Sequence, residues 1–229
     1  MKAIHFLAPL VFISTLGLKA QDCKVYIPGT IGTQTELTSY DKKDKPTGIS
    51  KQTLLGIKQS GDTTVYTLHQ VSTDSKGQNP VEANYNFKCF NGIFYFDMNS
   101  FMDQKTMEAY KDMQIKISTD NTLIPSEMQA GQQLKDGFIK MEILAGPMPI
   151  TMKVDVVNRK VEGFEKVTTS AGTFDCVKIS EDILGNWGFV KTTTHNITWY
   201  SAEIGAVRSE TYNKGKLENY TVLTNVKKK

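Results

Sequence analysis

Arginine is nearly missing from this 229-residue chain: Arg159 and Arg208 are its only two. Planar, bidentate recognition of phosphate favours arginine. The overall charge, 27 basic against 24 acidic residues, is also close to balance. Together these argue against nucleic acid as a partner. Histidine is as scarce, limited to His5, His69 and His195. Neither His69 nor His195 has a Cys, Asp or Glu at ligand spacing, so the three- or four-ligand set of a zinc site is not visible. The chain also lacks a Gly-x-Ser-x-Gly elbow, a glycine-rich phosphate loop, a calcium-loop pattern and a distinct carboxylate pair. No catalytic, metal-binding or cofactor-binding residue is assigned on these grounds. The expectation is a protein that is not an enzyme and carries no cofactor.

Long apolar runs are absent too, with one exception. Ile4 to Leu18 form an apolar stretch behind Lys2, and Leu18-Lys19-Ala20 follows as a small-residue cleavage site. The run falls short of the roughly 20 residues a spanning helix needs. Residues 1–20 therefore read as a cleaved secretory signal peptide. The expected destination is the periplasm, outer envelope or extracellular space, without a membrane span. Cleavage removes Lys2 and Lys19 and no acidic residue, which brings the charge closer to zero. Cys23 follows Ala20-Gln21-Asp22, and Asp22 does not fit a lipobox, so lipid attachment is not expected.

What is present is β pattern. Short alternating runs rich in Thr, Val, Ile, Tyr and Phe follow one another, separated by turn signals. "VEANYNFKCF" meets Asn91-Gly92 and "IFYFDM" returns, a strong hairpin signal. Asn213-Lys214-Gly215-Lys216 marks another hairpin. "ITMKVDVV" and "VEGFEKVTT" read as two strands with "NRK" between them. After Asn99-Ser100, "FMDQKTMEAY" reads as one short helix near the middle. The predicted fold is mainly β: an antiparallel meander forming a curved sheet, sandwich or half-open barrel. Residues 21–229 are taken as a single all-β domain, with 119–137 as the one loop where a seam could fall.

Cysteine and methionine are the informative minor residues. Cys23, Cys89 and Cys176 all remain after cleavage. Export favours oxidation, and an odd count leaves one thiol over. Of the three pairings, Cys23–Cys89 is favoured because a tethered N-terminal segment no longer frays. Cys176 sits inside "SAGTFDCVKIS", where Phe174 and Cys176 alternate with Val177 and Ile179. It reads as a buried, inert packing residue. Apart from Met1, every methionine lies between Met98 and Met152. Methionine suits irregular cores and adaptable binding surfaces. Gap-filling is the plainer reading. The sharper one is an apolar cavity lined by Met102, Met107, Met113, Met141 and Met152.

Several segments, taken in order, carry a resemblance: "CKVYIPGTIGTQTELTSYDKKDKPTG", "FKCFNGIFYFDM", "LIPSEMQAGQQLKDG", "NRKVEGFEKVTTSAGTFDCVKIS" and "WYSAEIGAVRSETYNKGKLENYTVL". They are similar to the TapB-like family, a domain-of-unknown-function group of exported bacterial envelope proteins. The resemblance implies an antiparallel β structure like the half-open barrels of lipoprotein carriers. It brings no catalytic residues, and it supports Cys23 and Cys89 as a pair. Some relatives look like lipoproteins, and the missing lipobox here departs from them. The functional expectation is an exported, non-enzymatic β-domain of unknown molecular function that binds an apolar or lipid-like ligand. The alternatives are an envelope structural or interaction protein without a cavity, and a hydrolase whose site assembles only in three dimensions. The expected partner is an apolar small molecule or an envelope protein.

Overall fold

The computed structural model describes residues 23–97, 100, 114–144, 149–188 and 190–229. The strands are β1 (Gln34–Asp41), β2 (Pro46–Ser60), β3 (Thr63–Asp74), β4 (Val81–Phe90), β5 (Ile93–Phe96), β6 (Gln114–Asp120) and β7 (Leu123–Pro125). They continue as β8 (Gly137–Leu144), β9 (Pro149–Thr169), β10 (Gly172–Trp187), β11 (Val190–Ser201), β12 (Gly205–Asn213) and β13 (Lys216–Lys227). All join one antiparallel sheet in the order β6-β8-β9-β10-β11-β12-β13-β1-β2-β3-β4-β5-β7. The expected β class and curved-sheet architecture are therefore present. The expected helix at "FMDQKTMEAY" falls outside the described residues, and no α-helix occurs among those described.

The meander follows from its turns. Asn91 and Gly92 both take positive φ, 48° and 72°. That is the backbone of a two-residue hairpin whose twist matches the strands it joins. β4 and β5 accordingly pair from Phe90↔Ile93 outward.

Curvature follows from the edges. β6 and β7 lie at opposite ends of the sheet, yet only Asn121 and Thr122 separate them in sequence. Three peptide units reach no further than about 11 Å. The two edges are thus drawn together at that end, and the sheet curls into an open trough. The segment 119–137, read as a loop, contains β7 and is stitched to β9. Gly131 N donates to Val161 O at 2.7 Å, and Leu134 N donates to Arg159 O at 2.8 Å.

The N-terminal segment lies against the inside of the trough. Val25, Tyr26 and Ile27 are buried with Leu54, Leu68, Phe94, Val161, Val177 and Ile179. Cys23 is disulfide-bonded to Cys89 of β4, with Cα atoms 5.8 Å apart and a sequence separation of 66. Closing a loop of that length contributes on the order of 4 kcal/mol by restricting the unfolded chain.

A second buried cluster joins Leu37, Cys176, Trp199, Val207 and Leu223. Cys176 and Val177 are neighbours on β10, so their side chains leave opposite faces. One enters this cluster and the other enters the trough. Cys176 is a free, buried thiol. Burial first, then the carboxylates of Asp175 and Glu165, push its pKa up to about 11. At neutral pH it remains a thiol and not a nucleophile.

Candidate functional site

β9 supplies the feature that the sequence pattern hid. Instead of breaking at "NRK", the strand runs unbroken from Pro149 to Thr169. The break appears as a bulge: Ser180 pairs with Lys160 and Asp182 with Val157, so Asn158 and Arg159 together face Glu181. Asn158 takes a positive φ of 55°, and its side-chain amide donates to Asp182 Oδ2 at 2.8 Å. One extra residue reverses the alternation of a strand. Before the bulge the even positions Met152, Val154 and Val156 face the trough, and after it Arg159 does, with Val161 buried in the core there. The apolar face of β9 is preserved across the bulge, and the arginine is aimed inward.

A cavity of about 700 Å³ lies within the trough. This falls in the range of small-molecule sites, about 300–1,000 Å³. Its walls differ. One is aromatic, built from Tyr85, Phe87, Phe94 and Phe96. Here Phe87 stacks on Phe94 at 5.4 Å between centroids, and Tyr85 tilts against Phe96 at 5.8 Å. The other is aliphatic, built from Ile139, Met141, Met152, Val154, Val156 and Ile183. The cavity reaches the surface near Trp187, which lines it and is 49% exposed. Met141 and Met152 thus line this cavity. Met102, Met107 and Met113 lie outside the described residues. The aromatic wall was not anticipated, although the alternating Tyr and Phe of "VEANYNFKCF" and "IFYFDM" were its signal.

Among the described residues the charged ones at the cavity are Lys153, Arg159 and Glu181; Arg159 and Glu181 face the trough, and Lys153 follows the odd, outer register of β9. Arg159 is only 3% exposed. Its Nε donates to Glu181 Oε2 at 3.1 Å, and its Nη1 donates to the carbonyls of Leu123 and Lys135 at 3.0 and 2.7 Å. A buried cation so paired and bonded avoids most of its desolvation cost. Lys153 pairs with Asp155 at 2.7 Å. Burial, then the negative charge of Glu181, push the Tyr200 phenol up to about 12, and burial does the same to Tyr26. Gln52 and Gln70 also reach the cavity and bond to each other, Nε2 to Oε1 at 2.9 Å.

The histidines gain neighbours from adjacent strands that linear spacing did not reveal. His69 Nδ1 lies 2.9 Å from Asn84 Oδ1. His195 Nδ1 lies 2.8 Å from Asp182 Oδ1. Ser180 shares the outer face of β10 with Asp182, but its hydroxyl donates to Glu162 Oε1 at 2.7 Å and not to the imidazole. A serine–histidine–carboxylate relay requires the serine to donate to the histidine, and that bond is not made here. Among the described residues no group of His, Cys, Asp and Glu could hold a metal ion. No helix among them is long and apolar enough to cross a membrane.

The described residues form one open, curled antiparallel sheet of 13 strands. Residues 30–223 match the DUF3108-like family model, and the chain belongs to that family. Two solved structures share the fold. One is described as an exported protein with a YmcC-like fold from Bacteroides fragilis; it is 22% identical, with a TM-score of 0.71 over 90% of this chain and 100% of that one. The other is described as a lipoprotein from Parabacteroides distasonis; it is 24% identical, with a TM-score of 0.72 over the same shares. No curated protein sequence matches the chain. The resemblance read from the sequence holds at its coarser level, a family of unknown function with an antiparallel β fold. The family that matches is DUF3108-like, and the TapB-like name is not what the comparison returns.

Proposed function

We propose that the protein is a non-enzymatic, exported β-domain that holds an apolar or lipid-like molecule inside its curled sheet. The cavity of about 700 Å³ between an aromatic and an aliphatic wall carries this reading. A large apolar cavity with few polar groups is the default binding site of an uncharacterised fold. The apolar leader of residues 1–20 supports export, as does the description of fold neighbours as exported proteins. The resemblance read from the sequence supports an envelope location. The thiol of Cys176 is buried away from this cavity and the Ser180 hydroxyl is committed to Glu162, which supports a binding role over hydrolysis.

Native mass spectrometry of the mature protein, after incubation with a total bacterial lipid extract, tests the reading. A one-to-one adduct is expected. A spectrum holding only the bare protein mass contradicts it.

A further inference from the structure

The cavity is apolar, yet a buried and neutralised ion pair lies in its wall. Arg159 spends Nε on Glu181 and Nη1 on two backbone carbonyls. A guanidinium has five N–H donors, so the two on Nη2 remain. Glu181 receives Arg159 on Oε2, which leaves Oε1 as an acceptor. A donor pair and an acceptor therefore stand side by side in the wall. Lys153 is matched by Asp155, so among the described residues every charge at the cavity has its counter-charge.

We propose that the site selects amphiphiles with an uncharged head that both donates and accepts hydrogen bonds, such as a monoacylglycerol or a long-chain alcohol, over fatty-acid anions. This rests on the apolar-cavity reading above. A carboxylate entering here brings a charge into an apolar trough where the buried cation, Arg159, is already matched. Its desolvation is then offset only by the Nη2 donors of an arginine whose charge Glu181 already balances. A hydroxyl head accepts from Nη2 and donates to Oε1 without adding charge. The apolar chain lies between the aromatic and aliphatic walls.

The test is competition against 1-N-phenylnaphthylamine, an uncharged fluorescent probe, at mildly alkaline pH. Monoolein and oleate are compared, since they share one acyl chain. Wild type is expected to favour monoolein by at least about tenfold in apparent affinity. Glu181→Gln keeps an oxygen for Arg159 Nε but removes the counter-charge. It is expected to shift the ratio by about tenfold or more toward oleate. Equal displacement by both lipids in wild type, or an unchanged ratio in Glu181→Gln, overturns the head-group assignment while leaving the cavity reading intact. Failure of the probe and of both lipids to bind overturns both.

Discussion

At the scale of single residues, the interior is defined by groups held in their neutral or paired state. Tyr26 and Tyr200 are both pushed up to about 12. An unfolded tyrosine ionises near 10. The folded state therefore favours the neutral phenol, and this stabilisation is complete below about pH 10 and lost as pH rises toward 12. Each shift is worth on the order of 3 kcal/mol at most. Ultraviolet titration of tyrosinate, with circular dichroism in parallel, is expected to show these two phenols ionising last, together with loss of tertiary signal. Complete ionisation near pH 10 with the fold intact would contradict their burial. Cys176 illustrates what single residues disclosed in advance. Its alternation with Val177 was readable from "TFDCVKIS", because a strand has period two and the two faces need different partners. Arg159 was not readable. An arginine between Asn158 and Lys160 has the composition of a turn, and only the pairing partner on β10 reveals that the chain continues.

At the scale of elements, β9 and its bulge organise the site. The even-to-odd switch from Val156 to Arg159 depends on one added residue opposite Glu181. Deleting Asn158 forces either the Met152–Val154–Val156 side or the Arg159–Val161 side out of the trough. The expected loss exceeds about 4 kcal/mol in chemical denaturation, beyond the ordinary effect of a point change. Asn158→Gly keeps the left-handed backbone and loses only the bond to Asp182, so its cost is expected near 1 kcal/mol. Equal midpoints for the deletion and wild type would show that the bulge does not set the register. Hairpins such as β4–β5 were legible because Asn-Gly fixes the turn locally. The bulge was not, because its signal is a change of parity spread over a dozen residues.

At the scale of the whole molecule, the two edges of the sheet meet through Asn121 and Thr122, and that closure makes a trough out of a meander. The β class and the meander were legible from strand periodicity and turns. The closure was not. β7 has three residues, too short for any periodicity, and its pairing with β5 spans a long stretch of chain. Two methionines of the wall, Met141 and Met152, stood out through composition alone. The aromatic wall required knowing that β3, β4 and β5 turn the same face inward. The disulfide between Cys23 and Cys89 anchors the N-terminal segment to that wall, so the segment carrying Tyr26 and Ile27 forms part of the cavity lining.

The central claim is that this cavity binds an apolar molecule. Fluorescence titration of 1-N-phenylnaphthylamine into wild type and Val154→Phe tests it most directly, since Val154 lines the aliphatic wall and phenylalanine there fills the space. Saturable one-to-one binding by wild type is predicted, weakened at least about tenfold in Val154→Phe with an unchanged circular dichroism spectrum. Absence of saturable binding in wild type, or equal binding by the variant, would contradict the account.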